Sequence, residues 1–194
     1  MKFSCGFWIP DNDDHFVGKG PTYQKKIRDI ALSYVGNWGL AIDIGAHCGF
    51  WSNVLARHFT DVAAFEPQKE NIECLSRNAA MNITLFPYAL GDKPSRGILE
   101  NPAPQNSGAW VLNPCAADGN AIVRTLDSFN FSPGLIKVDV QGYEEKALRG
   151  AETTLKINSP VMVVEDNGDG AVKYLETLGY NEMARINRDV VMIK

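Results

Sequence analysis

The residues best suited to chemistry in this 194-residue sequence surround a glycine-bearing turn at positions 41–49, which read AIDIGAHCG. Asp43 lies in an apolar run typical of a buried strand, and glycines at 45 and 49 allow a ligand to approach the backbone. Apolar positions recur with helical spacing over residues 50–59, so the turn leads into a helix whose first N–H groups are free to bind that ligand. We therefore expect a cofactor to be bound by Asp43, Gly45, Ala46, His47, Gly49 and Phe50.

This turn departs from the G-x-G-x-x-G fingerprint of dinucleotide-binding folds. With Gly45 as the first glycine, the second and third glycines fall on His47 and Phe50. Bulky side chains at these two positions keep a pyrophosphate away from the backbone. The turn thus favours a ligand without a diphosphate, and a nicotinamide-dependent oxidoreductase is the less favoured alternative.

Two further strand ends complete a candidate cofactor site. Glu66 follows a strand-like run, 21 residues after Gly45, where a carboxylate accepts hydrogen bonds from both hydroxyls of a ribose. Gly91 and Asp92 follow a third strand-like run and offer a backbone amide and a carboxylate to an adenine edge. A nucleoside that carries an amino acid in place of a diphosphate is S-adenosylmethionine. The further residues expected to contact this cofactor are Glu66, Pro67, Leu90, Gly91, Asp92 and Asp139.

The order and spacing of several motifs resemble the FkbM-family methyltransferases over roughly residues 20–166. The motifs are DIGA at 43–46, FEP at 65–67, ALGD at 89–92, TLD at 125–127, IKVDVQGYE at 136–144 and LRGA at 148–151. The resemblance implies an S-adenosylmethionine-dependent enzyme that usually methylates a hydroxyl. Family acceptors include sugars and polyketide-type natural products, so we expect a small-molecule or saccharide hydroxyl as acceptor.

Three positions depart from the family pattern. His47 stands where the family usually has Asn, whereas Gln24 and Gln141 stand where it usually has Glu. We expect His47 still to donate a hydrogen bond to the carboxylate of the cofactor. The loss of charge at Gln24 and Gln141 changes either the acceptor or the docking of the N-terminal segment. The alternative is a cofactor-binding domain that has lost turnover.

Methyl transfer to a hydroxyl requires alignment of the two reactants and removal of the hydroxyl proton. Asp139, at the end of the fourth predicted strand, is the leading candidate for the base, with cofactor contact or helix capping as its alternative role. The other candidates for catalysis are Glu144, Glu165 and His15. Each has a simpler alternative role: Glu144 as an acid in the first turn of a helix, Glu165 as a structural acid at a strand end and His15 as a solvated loop residue.

Hard oxygen ligands also occur at two neighbouring strand ends, at Asp139 and at Asp166-Asn167. Such ligands suit Mg²⁺. However, Asp-Asn before Gly168 is ordinary turn chemistry, and the family resemblance does not imply a metal. We therefore expect no metal site.

The elements that must position these residues alternate between strand-like and helical patterns, which indicates an α/β fold. Strands are predicted at 40–44, 62–65, 83–90, 135–140 and 161–165, and helices at 23–35, 50–59, 143–148 and 168–179. A further helix is predicted after Pro67, with Ile72, Leu75 and Ala79 on its apolar face. Two final runs, 180–186 and 190–193, predict an antiparallel hairpin. The family resemblance implies one Rossmann-like class I methyltransferase domain over 1–194, with a seven-stranded, mostly parallel sheet and helices on both faces, and the predicted hairpin agrees with it. Residues 1–35 are expected to form a cap or lid, and residues 93–120 a loop or β-excursion at the active edge.

Composition limits the function classes further. The chain has 19 Lys and Arg against 23 Asp and Glu, a net charge of −4, and is 45% hydrophobic, as expected for one globular domain. This mild acidity disfavours nucleic acid as a partner, since backbone-driven binding needs a dense cationic surface. No apolar run is long enough to span a bilayer, no export leader is evident, and four scattered cysteines predict reduced thiols, so we expect a soluble cytoplasmic protein. The sequence does not indicate the oligomeric state.

Overall fold

The computed structural model describes residues 1–115 and 118–194. Its strands are β1 (Lys2–Ser4), β2 (Phe7–Ile9), β3 (Leu40–Ile44), β4 (Asp61–Phe65), β5 (Ile83–Phe86), β6 (Ala89–Leu90), β7 (Ser95–Glu100), β8 (Val111–Cys115), β9 (Ala121–Arg124), β10 (Leu135–Val138), β11 (Val161–Glu165), β12 (Asn181–Ile186) and β13 (Asp189–Ile193). Its helices are α1 (Lys25–Ser33), α2 (Ser52–Leu55), α3 (Lys69–Asn78), α4 (Glu144–Arg149), α5 (Glu152–Asn158) and α6 (Ala171–Thr177), with a 3-10 helix at Leu126–Phe129.

The main sheet has seven strands in the order β12-β13-β11-β10-β3-β4-β5. The five strands from β11 to β5 pair in parallel, whereas β13 pairs antiparallel with both β11 and β12. The structure therefore has the predicted α/β class and a mixed sheet of seven strands. Because the carboxyl ends of the parallel strands share one rim, residues that follow β4, β3, β10 and β11 become neighbours.

Alternate side chains of the central strands enter two different cores. Ile42 and Ile44 of β3 pack in a cluster that also holds residues of α4, α5 and α6. Ala41 packs in a second cluster together with Ile27 of α1 and Leu55 of α2. Strands covered on both faces are nearly continuous apolar runs, which is why the sequence pattern located them.

The β-excursion forms a separate sheet of four strands, in the order β6-β9-β7-β8. Residues 116–117 of the predicted excursion, 93–120, lie outside the described residues. The prediction of a single strand over residues 83–90 is wrong, because β5 belongs to the main sheet and β6 to the smaller one. Pro87 separates them, and a proline has no N–H to continue a ladder.

Other elements also differ from the sequence-based prediction. The helix predicted over residues 50–59 is regular only in α2, and turns carry the chain onward to Phe59. Helix α5 was not predicted as a separate element. The N-terminal segment contains a β1–β2 hairpin whose turn residues, Cys5 and Gly6, both have positive φ (48° and 90°), as a tight two-residue turn requires.

None of the helices in the described part of the chain is both long and apolar enough to cross a lipid bilayer. The four cysteines are free thiols, of which Cys48 and Cys74 are buried.

Candidate active site

A cavity of about 240 Å³ lies at the carboxyl rim of the main sheet, beneath the N-terminal segment and the β-excursion. Ten of the expected site residues line it: His15, Gly45, Ala46, His47, Phe50, Glu66, Pro67, Leu90, Asp139 and Glu165. The other five expected residues are placed elsewhere: Asp43, Gly49, Gly91, Asp92 and Glu144. The structure thus gathers residues from six segments of the sequence around one cavity.

The glycine-bearing turn is pressed against the neighbouring strand end. Gly45 has φ +78°, and a Cβ at this position would lie 1.9 Å from the carbonyl oxygen of Asp139. Its N–H and that of Ala46 donate to the Phe65 carbonyl at 2.9 and 3.0 Å. His47 also has positive φ, at 52°. The turn therefore presents its backbone to the cavity with no room for a side chain at residue 45.

Glu66 lines the cavity at the end of β4 and is only 5% exposed. Its Oε2 accepts the N–H of His47 at 2.8 Å, and its Oε1 accepts the N–H of Gln68 at 2.9 Å. Burial raises the pKa of Glu66 to about 7 against the lowering effect of these two hydrogen bonds. Each carboxylate oxygen retains acceptor capacity, which suits the diol of a ribose.

Lys137 of β10 is a site residue that sequence reasoning missed. Its Nζ donates to the Gly45 carbonyl at 2.9 Å and lies 3.4 Å from Asp43 Oδ1 and 3.7 Å from Asp139 Oδ2. Burial lowers the pKa of Lys137, but the charges of Asp43 and Asp139 outweigh burial and hold it above its ordinary value. The signal in the sequence was a lysine inside an otherwise apolar strand.

Of the expected residues that do not line the cavity, Asp43, Gly49 and Gly91 are packed against neighbouring residues of the fold. Asp43 is fully buried and accepts the Ser52 hydroxyl at 2.6 Å in addition to its pairing with Lys137. Gly49 packs against Leu75, and a Cβ at Gly91 would lie 2.9 Å from the side chain of Val123. Asp92 is exposed.

Gln141 joins two of the candidate catalytic carboxylates. Its Nε2 donates to Asp139 Oδ1 at 2.8 Å and to Glu165 Oε2 at 2.9 Å. Burial raises the pKa of Asp139, but Lys137 and the Gln141 amide outweigh burial and hold it below its ordinary value. Burial, followed by the charge of Asp139, raises the pKa of Glu165 to about 7. The two neighbouring carboxylates therefore have different proton affinities.

Glu144 holds the backbone between β10 and α4. Its oxygens accept the N–H groups of Val140 and Gly142, both at 2.9 Å, and the residue is fully buried. Burial raises the pKa of Glu144 to about 7. These contacts favour a positioning role over direct contact with a substrate.

The ligand set considered for Mg²⁺ is not assembled as the sequence suggested. Asp166 pairs with Arg185 at 2.8 Å, and the carboxylates within 4.8 Å of Asp139 and of one another are Glu144 and Glu165. The Asn167 amide nitrogen donates to Glu144 at 3.1 Å and to Glu165 at 2.9 Å. Side-chain amides thus occupy positions between the carboxylates.

Two segments cover the cavity and are tied to the cofactor turn. Asp13 is fully buried and accepts the N–H of Phe16 at 2.6 Å and that of Ser107 at 2.8 Å. It also accepts the Ser107 hydroxyl, and Ser107 Oγ lies 2.6 Å from His47 Nε2. The Phe16 ring packs on the His47 ring with centroids 4.4 Å apart. His15 also lines the cavity, and its Nε2 lies 2.6 Å from the Lys19 amine.

Gln24 ties the start of α1 to both ends of the site. Its Oε1 accepts the Trp51 indole N–H, and its Nε2 donates to Asp189 Oδ2 at 2.9 Å. Because the same side chain must accept at one end and donate to a carboxylate at the other, an amide fits this position. Gln24 and Gln141 therefore have the same function, since each places an amide donor against carboxylates.

The site fits S-adenosylmethionine as judged by its own atoms. Gly45 and Ala46 line the cavity without a bulky side chain, and Glu66 retains acceptor capacity for ribose hydroxyls. Two buried acceptors on cavity-lining residues, His47 Nδ1 and Asn71 Oδ1, have no hydrogen-bond donor in the described part of the chain. A ligand with several donors would satisfy them.

The fold is that of an α/β protein with a cavity at the carboxyl rim of a mixed seven-stranded sheet, and comparison with known proteins gives the family. Residues 43–181 match the methyltransferase FkbM domain, so the chain belongs to the FkbM methyltransferase family. Membership implies S-adenosylmethionine as methyl donor and S-adenosylhomocysteine as product. No curated protein matches the sequence.

Solved structures show the same fold at low identity. The FkbM methyltransferase of Methylobacillus flagellatus KT is 20% identical with a TM-score of 0.53, over 81% of this chain and 43% of that one. The precorrin 8w decarboxylase of Methanobacterium thermoautotrophicum is 16% identical with a TM-score of 0.58, over 100% and 98%. An rRNA methylase of Streptococcus thermophilus is also 16% identical, with a TM-score of 0.54 over 91% and 96%. This chain thus spans less than half the length of the FkbM structure.

Proposed function

We propose that the protein transfers the methyl group of S-adenosylmethionine to a hydroxyl of a small neutral acceptor, such as a saccharide or a natural-product-like polyol. The supporting observation is one cavity lined by Glu66 on one side and by Asp139 and Glu165 on the other. Glu66 and Asp139 follow β4 and β10, Glu165 ends β11, and β3 lies between β4 and β10. At a strand spacing of about 4.8 Å, Glu66 and Glu165 are about 14 Å apart along the rim, enough for a nucleoside and an acceptor side by side.

The charges of the cavity favour a neutral acceptor. Among the described residues that line it, the permanent cations are Lys137 and Arg188. Lys137 is committed to Asp43 and Asp139, and Arg188 lies 2.7 Å from Glu165. Neither is free to neutralise a phosphate, so the site offers little to RNA, although an rRNA methylase shares the fold. Tyr88 and Trp110 add aromatic rings on which a sugar can pack.

The chemistry assigns different roles to the two carboxylates. The bound cofactor supplies a methyl group on a positively charged sulfur, so its leaving group needs no proton. The acceptor hydroxyl loses its proton as the new O–C bond forms, and Glu165 takes that proton. A pKa of about 7 is close to the value that suits a general base at neutral pH. Asp139, held ionised by Lys137, accepts a hydrogen bond from a neighbouring hydroxyl and orients the acceptor.

This assignment changes the order expected from the sequence, in which Asp139 was the leading base and Glu165 followed. The reason is physical, because a carboxylate whose pKa is lowered by a lysine is a weaker base than one whose pKa is raised by burial. Glu144 is proposed as a positioning residue, since it is fully buried and, unlike Glu165, does not line the cavity. His15 is proposed as part of the acceptor wall rather than as a base.

The experiment is a methyl-transfer screen of neutral saccharides and polyols, with RNA as a further arm, that measures release of S-adenosylhomocysteine. Glu165→Gln should lower kcat by about 10²–10⁴ and remove the titration near pH 7 from the pH profile of kcat. Glu182→Gln, on the exposed strand β12, is the matched control and should leave both unchanged. Methylation of RNA in place of the neutral acceptors would contradict the proposal. Cofactor binding without transfer to any acceptor would support a domain that has lost turnover.

A further inference from the structure

The protonation of His47 is set by a chain of hydrogen bonds that begins at a buried carboxylate. Ser107 gives its single hydroxyl proton to Asp13, which is fully buried. The Ser107 oxygen can therefore only accept in its 2.6 Å contact with His47 Nε2. It follows that Nε2 carries the ring proton and that Nδ1 carries a lone pair.

The other ring nitrogen has no partner. Nδ1 of His47 is buried and receives no hydrogen bond from any described residue. Cys48 Sγ lies 3.6 Å from Nε2, the nitrogen that already contacts Ser107, so this contact does not involve Nδ1. Burial lowers the pKa of His47 to about 4, so Nδ1 does not become protonated at neutral pH. A buried acceptor without a donor is unfavourable, and a donor from outside the protein would relieve it.

We propose that Nδ1 of His47 accepts a hydrogen bond from the α-ammonium group of S-adenosylmethionine. His47 lines the cavity and follows β3, which lies between the strands that precede Glu66 and Asp139. A ribose held by Glu66 would place the methionine moiety on the side of this position. The ammonium is the donor of that moiety, whereas its carboxylate offers only acceptors, which a bare nitrogen repels.

The charges around the ring agree with an ammonium partner. Asp13 and Asp139 act on His47 as anions, and the cation Lys137, which is paired with Asp43 and Asp139, partly offsets them. Two carboxylates attract a cation and disfavour a second anion at the same place. His47 is therefore an acceptor for the cofactor, which is the opposite of the donor role expected from the sequence.

Asp13 and Ser107 act on the cofactor only through His47, so they are positioning residues. Asp13 belongs to the N-terminal segment and Ser107 to the β-excursion. Without the Ser107 oxygen, the ring is free to exchange its proton between the two nitrogens. The affinity for the ammonium is then reduced in proportion to the fraction of molecules whose proton is on Nδ1 instead of Nε2.

The first test reads the tautomer directly in the free, full-length protein. Long-range ¹H–¹⁵N spectra distinguish a protonated from a bare ring nitrogen, and His47 is assigned by the signal lost in His47→Asn. We expect a proton on Nε2 and a bare Nδ1 in the wild type at pH 6–8, and a mixture in Ser107→Ala. Saturation with S-adenosylhomocysteine should shift the Nδ1 signal. A proton on Nδ1 in the wild type, or an Nδ1 signal unchanged at saturation, would overturn the proposal.

The second test compares two ligands by calorimetry. S-adenosylhomocysteine carries the ammonium, whereas 5′-methylthioadenosine keeps the nucleoside and lacks the whole amino acid. His47→Ala should weaken the first ligand about tenfold or more and leave the second nearly unchanged. His47→Asn, whose side-chain oxygen is also an acceptor and which tolerates positive φ, should recover part of the loss. Equal weakening of both ligands would show that the ring is only structural.

The inference rests on S-adenosylmethionine as the methyl donor and not on the acceptor. Ser107→Ala should weaken S-adenosylhomocysteine about twofold, whereas Ser76→Ala, on the exposed face of α3, should not weaken it. Failure of the wild type to bind S-adenosylhomocysteine would refute the donor and with it this contact. The spectra of the free protein would still report the tautomer, so the two failures are distinguishable.

Discussion

Replacement of Gln141 by glutamate tests whether the Gln141 amide stabilises the two neighbouring carboxylates, Asp139 and Glu165. The wild-type amide donates to both carboxylates, at 2.8 and 2.9 Å. A hydrogen bond to a charged acceptor contributes about 1.5–3 kcal/mol. Because Gln141 lines an open cavity that admits water, the lower end applies, and loss of both bonds costs about 3 kcal/mol of unfolding free energy.

The pH dependence of this variant has a definite sign. Two neighbouring carboxylates raise the pKa of the introduced carboxyl above its unfolded value of about 4.3. A carboxyl whose pKa is higher in the folded state reduces stability above its unfolded pKa, and the loss grows until the pH exceeds the folded pKa. A protonated carboxyl still donates one hydrogen bond. Gln141→Glu should therefore lose about 1.5 kcal/mol at pH 5 and about 3 kcal/mol at pH 8.

The assay is urea unfolding at both pH values, with the slope m compared to ensure that the unfolded states are equivalent. Gln141→Met is the matched control, since it removes both hydrogen bonds and adds no charge. Its loss relative to the wild type should change with pH only through the titration of Glu165, whose pKa is about 7, and so by less than the loss for Gln141→Glu. Equal losses for Gln141→Glu at pH 5 and pH 8, or no loss at pH 8, would refute this account of the amide.

Three more outcomes follow from the same geometry. Gly45→Ala should cost several kcal/mol more than Gly168→Ala in urea unfolding, because both have φ near +78° but only at Gly45 does a Cβ meet a backbone oxygen; equal losses would refute the clash. Lys137→Met should cost about 3–5 kcal/mol by leaving the Asp43 carboxylate buried and unpaired. The double variant with Asp43→Asn should recover most of that loss in the same assay, and purely additive losses would argue against the pair. Treatment with EDTA should leave turnover unchanged, since two side-chain amides already supply donors to the three clustered carboxylates; activity that is lost and then restored by Mg²⁺ would contradict this.

The parts of the fold that could be predicted are those in which local pattern and tertiary environment agree. Buried parallel strands have apolar residues at nearly every position, and both cores of the sheet require this. The strand ends at Gly45, Glu66 and Asp139 could be located because each follows such a run directly. The division between β5 and β6 was missed because residues on both sides of Pro87 are equally apolar, and only their pairing partners differ.

The site residues that were missed depend on contacts remote in sequence. Ser107 and Asp13 are 94 residues apart, and no local pattern relates a serine in a polar loop to a buried carboxylate. Lys137 interrupts an apolar strand, and its partner Asp43 became evident only from the pairing of β3 with β10. Gln141 was recognised only as a departure from the family, because its function depends on two carboxylates that the fold places on either side of it.

The residues ahead of position 43 lie outside the matched family domain, yet His15, Phe16 and Gln24 line the cavity. Part of the wall proposed to face the acceptor is therefore encoded ahead of the matched domain, whereas Glu66 and His47, proposed to hold the methyl donor, lie within it. A chimera that exchanges the first stretch between relatives should alter the range of acceptors while the donor pocket keeps its architecture. Asp13 is the exception, because it belongs to the exchangeable stretch but acts on His47. A graft without that carboxylate would alter the affinity for the donor as well as the choice of acceptor.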